Sequence, residues 1–311
     1  MTNRARLVLG TAQLNGNYGI ANAAGHPSVQ QSCQLLQAAV SAGIGYLDTA
    51  PGYGNSESLI GDCLQQVEPQ SRPEIVTKLP SVQRLGLQTE EARRKFVTSS
   101  VLSSLNKLKR SALDTLLLHD PLDMTYRNGE ILHLLKELKQ QQMIRSIGVS
   151  VYDPQEAETF LSLDGVTSIQ LPLNVFDQRW IRNGMLERLA GQGTEVLVRS
   201  VYLQGLLLMA PEKLPAKLKQ AERPLKSFIA YSKEIGIPVK ELCFLYVRDL
   251  PGVSGIVIGC ETVEQVQENV SMMALPPLTR KIRQELGDYF TDIPVQIMDP
   301  RRWNEQDADH S

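Results

Sequence analysis

Four side chains able to move or stabilise a proton stand at the ends of short apolar runs in the first half of this 311-residue chain. Asp48 closes Tyr46-Leu47-Asp48, and Tyr53 follows in the loop Pro51-Gly52-Tyr53-Gly54. Lys78 closes Ile75-Val76-Thr77-Lys78, and His119 follows Leu116-Leu117-Leu118. Taken singly, most have an ordinary explanation. A tyrosine between glycines is usually a turn aromatic, an aspartate before Thr-Ala-Pro-Gly caps or starts a turn, and a histidine after three leucines is usually a satisfied core residue. Lys78 is different, because an ammonium on a strand headed into an apolar interior needs a compensating charge. Asp48, one strand away, is its natural partner.

Together the four fit one kind of chemistry. Hydride delivered to a carbonyl builds negative charge on oxygen, which a proton from a nearby acid must neutralise. A tyrosine can donate it, but its pKa of about 10 is high for exchange near neutrality, and lowering it by about three units takes roughly 4 kcal/mol. An ammonium about 4 Å away supplies about 4 kcal/mol at an effective dielectric near 20. In this scheme Lys78 lowers the Tyr53 pKa, Asp48 keeps Lys78 charged and oriented, and His119 hydrogen-bonds the carbonyl oxygen.

Positioning such a set needs a rigid frame, and the chain alternates short β-branched runs with longer helical patterns throughout. Strands are predicted at Leu7–Thr11, Tyr46–Thr49, Glu74–Lys78, Thr115–His119, Ser146–Ser150, Ser168–Leu171, Glu195–Ser200 and Gly255–Ile258. Helices fall between them, at Val29–Ala42, Glu57–Gln66, Glu90–Lys109, Glu130–Gln142, Pro154–Leu163, Met185–Ala190, Leu225–Glu234, Val239–Arg248 and Val263–Ser271. Eight βα units without a linker or a shift in composition predict an α/β protein: a single (β/α)8 TIM barrel spanning 1–311, with 279–311 as a terminal helix and tail capping one end. A doubly wound sheet is the alternative. In the barrel the strand ends that carry the four residues converge on one face.

Bulk properties narrow the class. With 42% hydrophobic and 21% charged residues the chain can bury a large core. Its 32 basic and 34 acidic residues leave a net charge of -2, which offers no polycationic face to nucleic acid. No signal-peptide core and no membrane-length apolar run is present. Cys33, Cys63, Cys243 and Cys260 form no C-x-x-C pair and read as buried thiols of a reducing compartment, hence a cytoplasmic protein. His26, His119, His133 and His310 lack metal-ligand spacing, so no metal site is expected. Oligomeric state is not indicated. After the first strand stands Gly10-Thr11-Ala12-Gln13, so a dinucleotide would not be held in the G-x-G-x-x-G manner.

The segment from Gly45 to Glu57, Gly-Tyr-Leu-Asp-Thr-Ala-Pro-Gly-Tyr-Gly-Asn-Ser-Glu, resembles the signature of the aldo-keto reductases, with Thr77-Lys78 and Leu118-His119 following in the family's order. The resemblance extends over nearly the whole chain. It implies an NAD(P)(H)-dependent oxidoreductase interconverting a carbonyl and an alcohol, with Tyr53 as general acid or base and Asp48, Lys78 and His119 as its partners. Gly148-Val149-Ser150 resembles the family's G-x-S-N element, with Val151 where the asparagine usually stands, and implies Ser150 and Gln170 as ligands of the nicotinamide amide. Ser200 to Gly205 resembles the loop around the pyrophosphate. Arg199 stands where many members stack an aromatic on the nicotinamide, and is either a stacking group or a substrate anchor. Val257 to Asn269 resembles the adenosine-binding strand, loop and helix start, implying Gly259, Glu261 and Gln265 around the nucleotide and Glu268 and Asn269 against adenine.

NADP(H) is the cofactor the resemblance implies, with NAD(H) also admitted, because Ile258 to Asn269 holds no basic residue and places Glu261 in the loop. The partner is a small-molecule carbonyl. A polar substrate, a sugar aldehyde or lactol, is expected: the only tryptophans are Trp180 and Trp303, while Asp120, Asp123, Arg127 and Arg199 lie near strand ends. Two rivals are a Schiff-base lyase with Lys78 as nucleophile, and a cofactor-binding sensor with little turnover.

Overall fold

Side chains on a β-strand alternate between faces, and in this chain one face of the strands is mostly apolar while the other mixes apolar and polar residues. The structure, a computed structural model, describes residues 5–16, 19–20 and 25–303. Eight parallel strands close into a barrel in sequence order: β1 (Arg6–Gly10), β2 (Tyr46–Asp48), β3 (Glu74–Leu79), β4 (Leu113–Leu118), β5 (Ile144–Ser150), β6 (Ser168–Pro172), β7 (Glu195–Arg199) and β8 (Gly255–Gly259), with β8 pairing back to β1. The doubly wound alternative is excluded by that closure.

Around the barrel run α1 (Val29–Ser41), α2 (Ser56–Cys63), α3 (Glu90–Leu108), α4 (Glu130–Gln140), α5 (Pro154–Leu161), the short α6 (Arg179–Arg182), α7 (Met185–Gly191), α8 (Glu222–Ile235), α9 (Val239–Arg248) and α10 (Val263–Ala274), followed by α11 (Arg280–Tyr289) and α12 (Val295–Met298). Local signals set several starts: Ser28 and Gln31 form a capping box on α1, and the hydroxyls of Thr89, Thr262 and Thr279 cap α3, α10 and α11. No helix of the described residues is long and apolar enough to cross a membrane.

The barrel interior is layered. Val8, Val76, Leu117 and Leu197 form an apolar plate, separate from the larger core between strands and helices. Beneath it, Arg6 pairs with Glu195 and lies 3.9 Å over the Tyr46 ring. Two residues further along the strands from Tyr46 and Val76, on the same face, come Asp48 and Lys78. The alternation that makes the plate apolar therefore delivers the polar residues to its far side.

Two expectations change. Cys33 of α1 and Cys63 of α2 are joined as a disulfide, with Cα atoms 5.1 Å apart. Helix α1 packs beside α2, a proximity that 30 residues of sequence separation conceal. Only Cys243 and Cys260 are the buried free thiols expected, and the thiol argument for a reducing compartment falls. From the terminal segment, Arg301 stacks 3.7 Å over Tyr152, just beyond β5. His310 and the rest of the tail after Trp303 lie outside the described residues.

Candidate active site

Lys78 is almost wholly buried and donates to both Asp48 oxygens, at 2.8 and 2.9 Å, and to the Thr49 carbonyl at 3.0 Å. Gln170 donates to Asp48 Oδ1 at 2.7 Å. The resemblance assigned Gln170 to the nicotinamide amide; here its amide nitrogen also orients the aspartate. Lys78 Nζ lies 5.0 Å from the centre of the Tyr53 ring, and the His119 ring stands edge-on to Tyr53, centroids 6.4 Å apart. The four residues are thus brought together at the carboxyl ends of β2, β3 and β4.

The loop bearing Tyr53 is tightly held. Ser56 Oγ donates to the Tyr53 carbonyl at 2.8 Å and to that of Thr11 at 3.2 Å, while Thr11 Oγ1 donates to the Asp48 carbonyl at 2.9 Å. Gly54 has φ +62°, and a Cβ there would meet the Asn15 side chain at 2.8 Å, which accounts for the glycine after the tyrosine. Glu57, also buried, accepts from Thr77 Oγ1 at 2.8 Å and ties the start of α2 to β3 beside Lys78.

Burial alone would lower the Lys78 pKa, but the Asp48 carboxylate and the Tyr53 side chain outweigh it and hold the ammonium above its ordinary pKa. A lysine so held is a poor amine nucleophile, which removes the basis of the Schiff-base reading. Burial pushes the Tyr53 phenol above its ordinary value; Lys78 pulls the other way and Asp48 offsets part of that pull. The lowered tyrosine pKa expected from the sequence is therefore not found, because the loss of water, helped by the Asp48 charge, outweighs the pull of the ammonium. His119 is pushed down to about 4 by burial, then by the Lys78 charge, and is neutral at pH 7.

Two clefts meet at these residues. One is walled by Asp48 and Tyr53, the loop after β7 and the end of β8, and Arg199, Ser200, Gly205, Gly259, Glu261, Gln265 and Asn269 all line it. Ser150 and Gln170 are buried side by side in register on β5 and β6, outside that lining. Glu268 is exposed, paired with Lys240, and does not line the cleft.

The first cleft suits a dinucleotide on two observations. Ser200, Leu203, Gln204 and Gly205 all have positive φ, from 48° to 95°, a backbone shape that can turn N–H groups toward an anion. Asn269 donates through Nδ2 to Cys260 Sγ at 3.2 Å, whereas its buried Oδ1 has no partner, leaving an acceptor for an exocyclic amine. Arg199 lies 4.2 Å over the Tyr152 ring and donates to the Val151 carbonyl at 3.1 Å, so this guanidinium is held in place at the cleft wall.

The second cleft, about 400 Å³, opens at His119 and is walled by Arg84, Asp120, Tyr152, Glu156 and Arg301. Asp120 is there as expected, ion-paired with Arg84. Burial raises the Asp120 pKa, but Arg84 and the Leu122 N–H together bring it below the carboxylate range. Asp123 is not there: its buried carboxylate accepts from the Val82 and Gln83 N–H groups at 2.9 and 2.8 Å and fixes the loop after β3. Arg127 is exposed and stacks on Tyr126, away from the cleft. Trp180 and Trp303 are both buried in the core, so neither forms an aromatic wall. Sequence reasoning missed Arg84, Tyr152, Glu156 and Arg301; only Tyr152, two residues past Ser150, carried a positional hint.

The model of the Aldo/keto reductase family matches residues 6–286, and the chain belongs to that family. It is accordingly an NAD(P)(H)-dependent oxidoreductase that interconverts a carbonyl and an alcohol. It is 25% identical over 277 residues to an uncharacterised oxidoreductase of Bacillus subtilis, covering 81% of this chain and 85% of the relative. It is 28% identical over 284 residues to D-arabinose 1-dehydrogenase of Saccharomyces cerevisiae, covering 84% and 80%. An aldo-keto reductase of Bacillus halodurans, solved in its holo form, superposes with a TM-score of 0.73 at 22% identity over 95% of this chain and 96% of its own, a likeness of fold.

Proposed function

We propose that Tyr53 is the group that gives its proton to the carbonyl oxygen in reduction and takes it back in oxidation, with Lys78, Asp48 and His119 as its supports. The observation that carries this reading is the buried Lys78 ammonium, fixed by Asp48 and set beside Tyr53. The nicotinamide cofactor supplies or accepts the hydride. Neutral His119 orients the carbonyl oxygen from the second cleft, and Lys78 steadies charge that develops on the phenol. Ser150, Gln170 and Arg199 position the nicotinamide end, Ser200 to Gly205 the pyrophosphate, and Gly259, Glu261, Gln265 and Asn269 the adenosine. Glu268, exposed and outside the cleft, has no part in that contact. Single-turnover oxidation of bound reduced cofactor by a panel of aldehydes tests the assignment: wild type reacts and Tyr53→Phe does not. Failure of the wild type to react would favour the sensor reading.

Both cofactors bind in this reading, with a preference for NADPH under about a hundredfold, which is about 2.7 kcal/mol. Glu261 beside the ribose repels a phosphate and can accept from a free 2′-hydroxyl. Titration of both by quenching of protein fluorescence measures the ratio. The substrate is polar and sugar-like, because the cleft next to His119 is walled by ionic and hydroxyl groups, and D-arabinose 1-dehydrogenase among the relatives acts on a sugar. Turnover of apolar aryl aldehydes with none of sugars would overturn the substrate assignment alone.

A further inference from the structure

The cofactor cleft has one feature that the sequence around β8 does not announce. Among the described residues, the sole cationic side chain lining it apart from Arg199 is Lys240, which enters from α9 and not from the β8 loop or α10. Arg199 is committed to Tyr152 and Val151 at the opposite end. Lys240 stands with Gln265 and Asn269, where the adenosine belongs.

Its placement runs against its own helix. Lys240 is in the first turn of α9, where the helix dipole disfavours a cation. Its compensation is an ion pair with Glu268 of α10, whose carboxylate is 53% exposed and therefore well screened. Such a pair is easily exchanged for a stronger anion, and a phosphate monoester carries about -1.5 to -2 charges near neutrality against one for a carboxylate.

Resting on the cofactor assignment above, we propose that Lys240 is the specificity-determining residue for the 2′-phosphate: it leaves Glu268 to pair with that group, while Glu261 opposes it and keeps the preference modest. The pairing makes Glu268 a competitor of the phosphate.

Binding of 2′,5′-ADP and 5′-AMP to the full chain, measured calorimetrically, tests this without hydride chemistry. Wild type is expected to hold 2′,5′-ADP about tenfold more tightly than 5′-AMP, a difference of about 1.4 kcal/mol. Lys240→Met should bring the two to parity with 5′-AMP affinity unchanged within about twofold, and Glu268→Gln should widen the ratio. A ratio that survives Lys240→Met, an equal loss of both nucleotides in that variant, or a ratio narrowed by Glu268→Gln would overturn the proposal and leave the cofactor assignment standing. Failure of wild type to bind either nucleotide would overturn the cofactor assignment itself.

Discussion

Breaking the Asp48–Lys78 pair from either side should cost most of what removing both charges costs, because each single change strands the charge that is left. Lys78 and Asp48 retain only 2% and 4% of their exposure, so neither charge has water to fall back on. Asp48→Asn leaves the ammonium with the Thr49 carbonyl and one amide oxygen, and turns an NH2 toward donors that already converge there from Lys78 and Gln170. Lys78→Met leaves a carboxylate holding only the Gln170 bond among those three. Each single change strands a buried charge and should destabilise by about 3–5 kcal/mol. The double variant, Asp48→Asn with Lys78→Met, strands none, and should fall short of the additive sum by about 2–3 kcal/mol. Urea unfolding of wild type, both singles and the double, followed by tryptophan fluorescence and by circular dichroism, reads that coupling. Coupling below about 0.5 kcal/mol would refute the argument, since it would mean that water screens the pair.

Tyr53→Phe should lower turnover by about a hundredfold or more while leaving the cofactor Kd intact, because it removes a proton donor and little else; near-normal turnover would sink the role given to this residue. Lys78→Met should cripple turnover as well, which steady-state kinetics at several pH values will show. His119 has a folded pKa of about 4 against 6.5 when free, so between those values the unfolded chain binds a proton that the folded chain refuses. Stability is therefore lost as pH falls from about 6.5 to 4, by up to about 3 kcal/mol, and His119→Gln should flatten that slope in unfolding midpoints taken at pH 7 and pH 4.5. Gly61→Ala would put a Cβ 2.0 Å from the Lys107 carbonyl oxygen, forcing α2 off α3. Thermal melts should show a loss of about 1–3 kcal/mol, and an unchanged Tm would mean the two helices separate freely.

The strands and the four residues at their ends were legible because both rest on local rules. Alternation fixes which residues face the barrel axis, and the tight loop around Tyr53 writes its glycines into the sequence. What stayed hidden depends on contacts between distant segments. Arg301 reaches Tyr152 across 149 positions in the numbering, and the Cys33–Cys63 bond follows from helix packing. Asp123 looked like a site residue because acidic side chains after strand ends often are; it is consumed by two backbone N–H groups instead. The direction of the Tyr53 pKa shift was hidden for a different reason. A pairwise Coulomb estimate can be made from sequence, but the depth of burial and the position of the counter-ion cannot.

That last difference says something about the machinery. Tyr53 and His119 are shifted in opposite directions by one first cause, the loss of water, which favours the neutral form of an acid and of a base alike. The apolar plate of Val8, Val76, Leu117 and Leu197 lies below them in the barrel, with the Arg6–Glu195 pair on its far side. Against that low-dielectric floor the site keeps one internal ion pair, Lys78 with Asp48, and two uncharged groups that can each hydrogen-bond a carbonyl oxygen. A neutral phenol beside a fixed ammonium is ready to give a proton but reluctant to lose it to water. In the role proposed for them, both would meet charge that forms on the substrate oxygen where the two clefts reach Tyr53 and His119. In the role proposed for it, the lysine contributes by stabilising charge as it develops on the oxygen and the phenol, and not through a phenol ionised in advance.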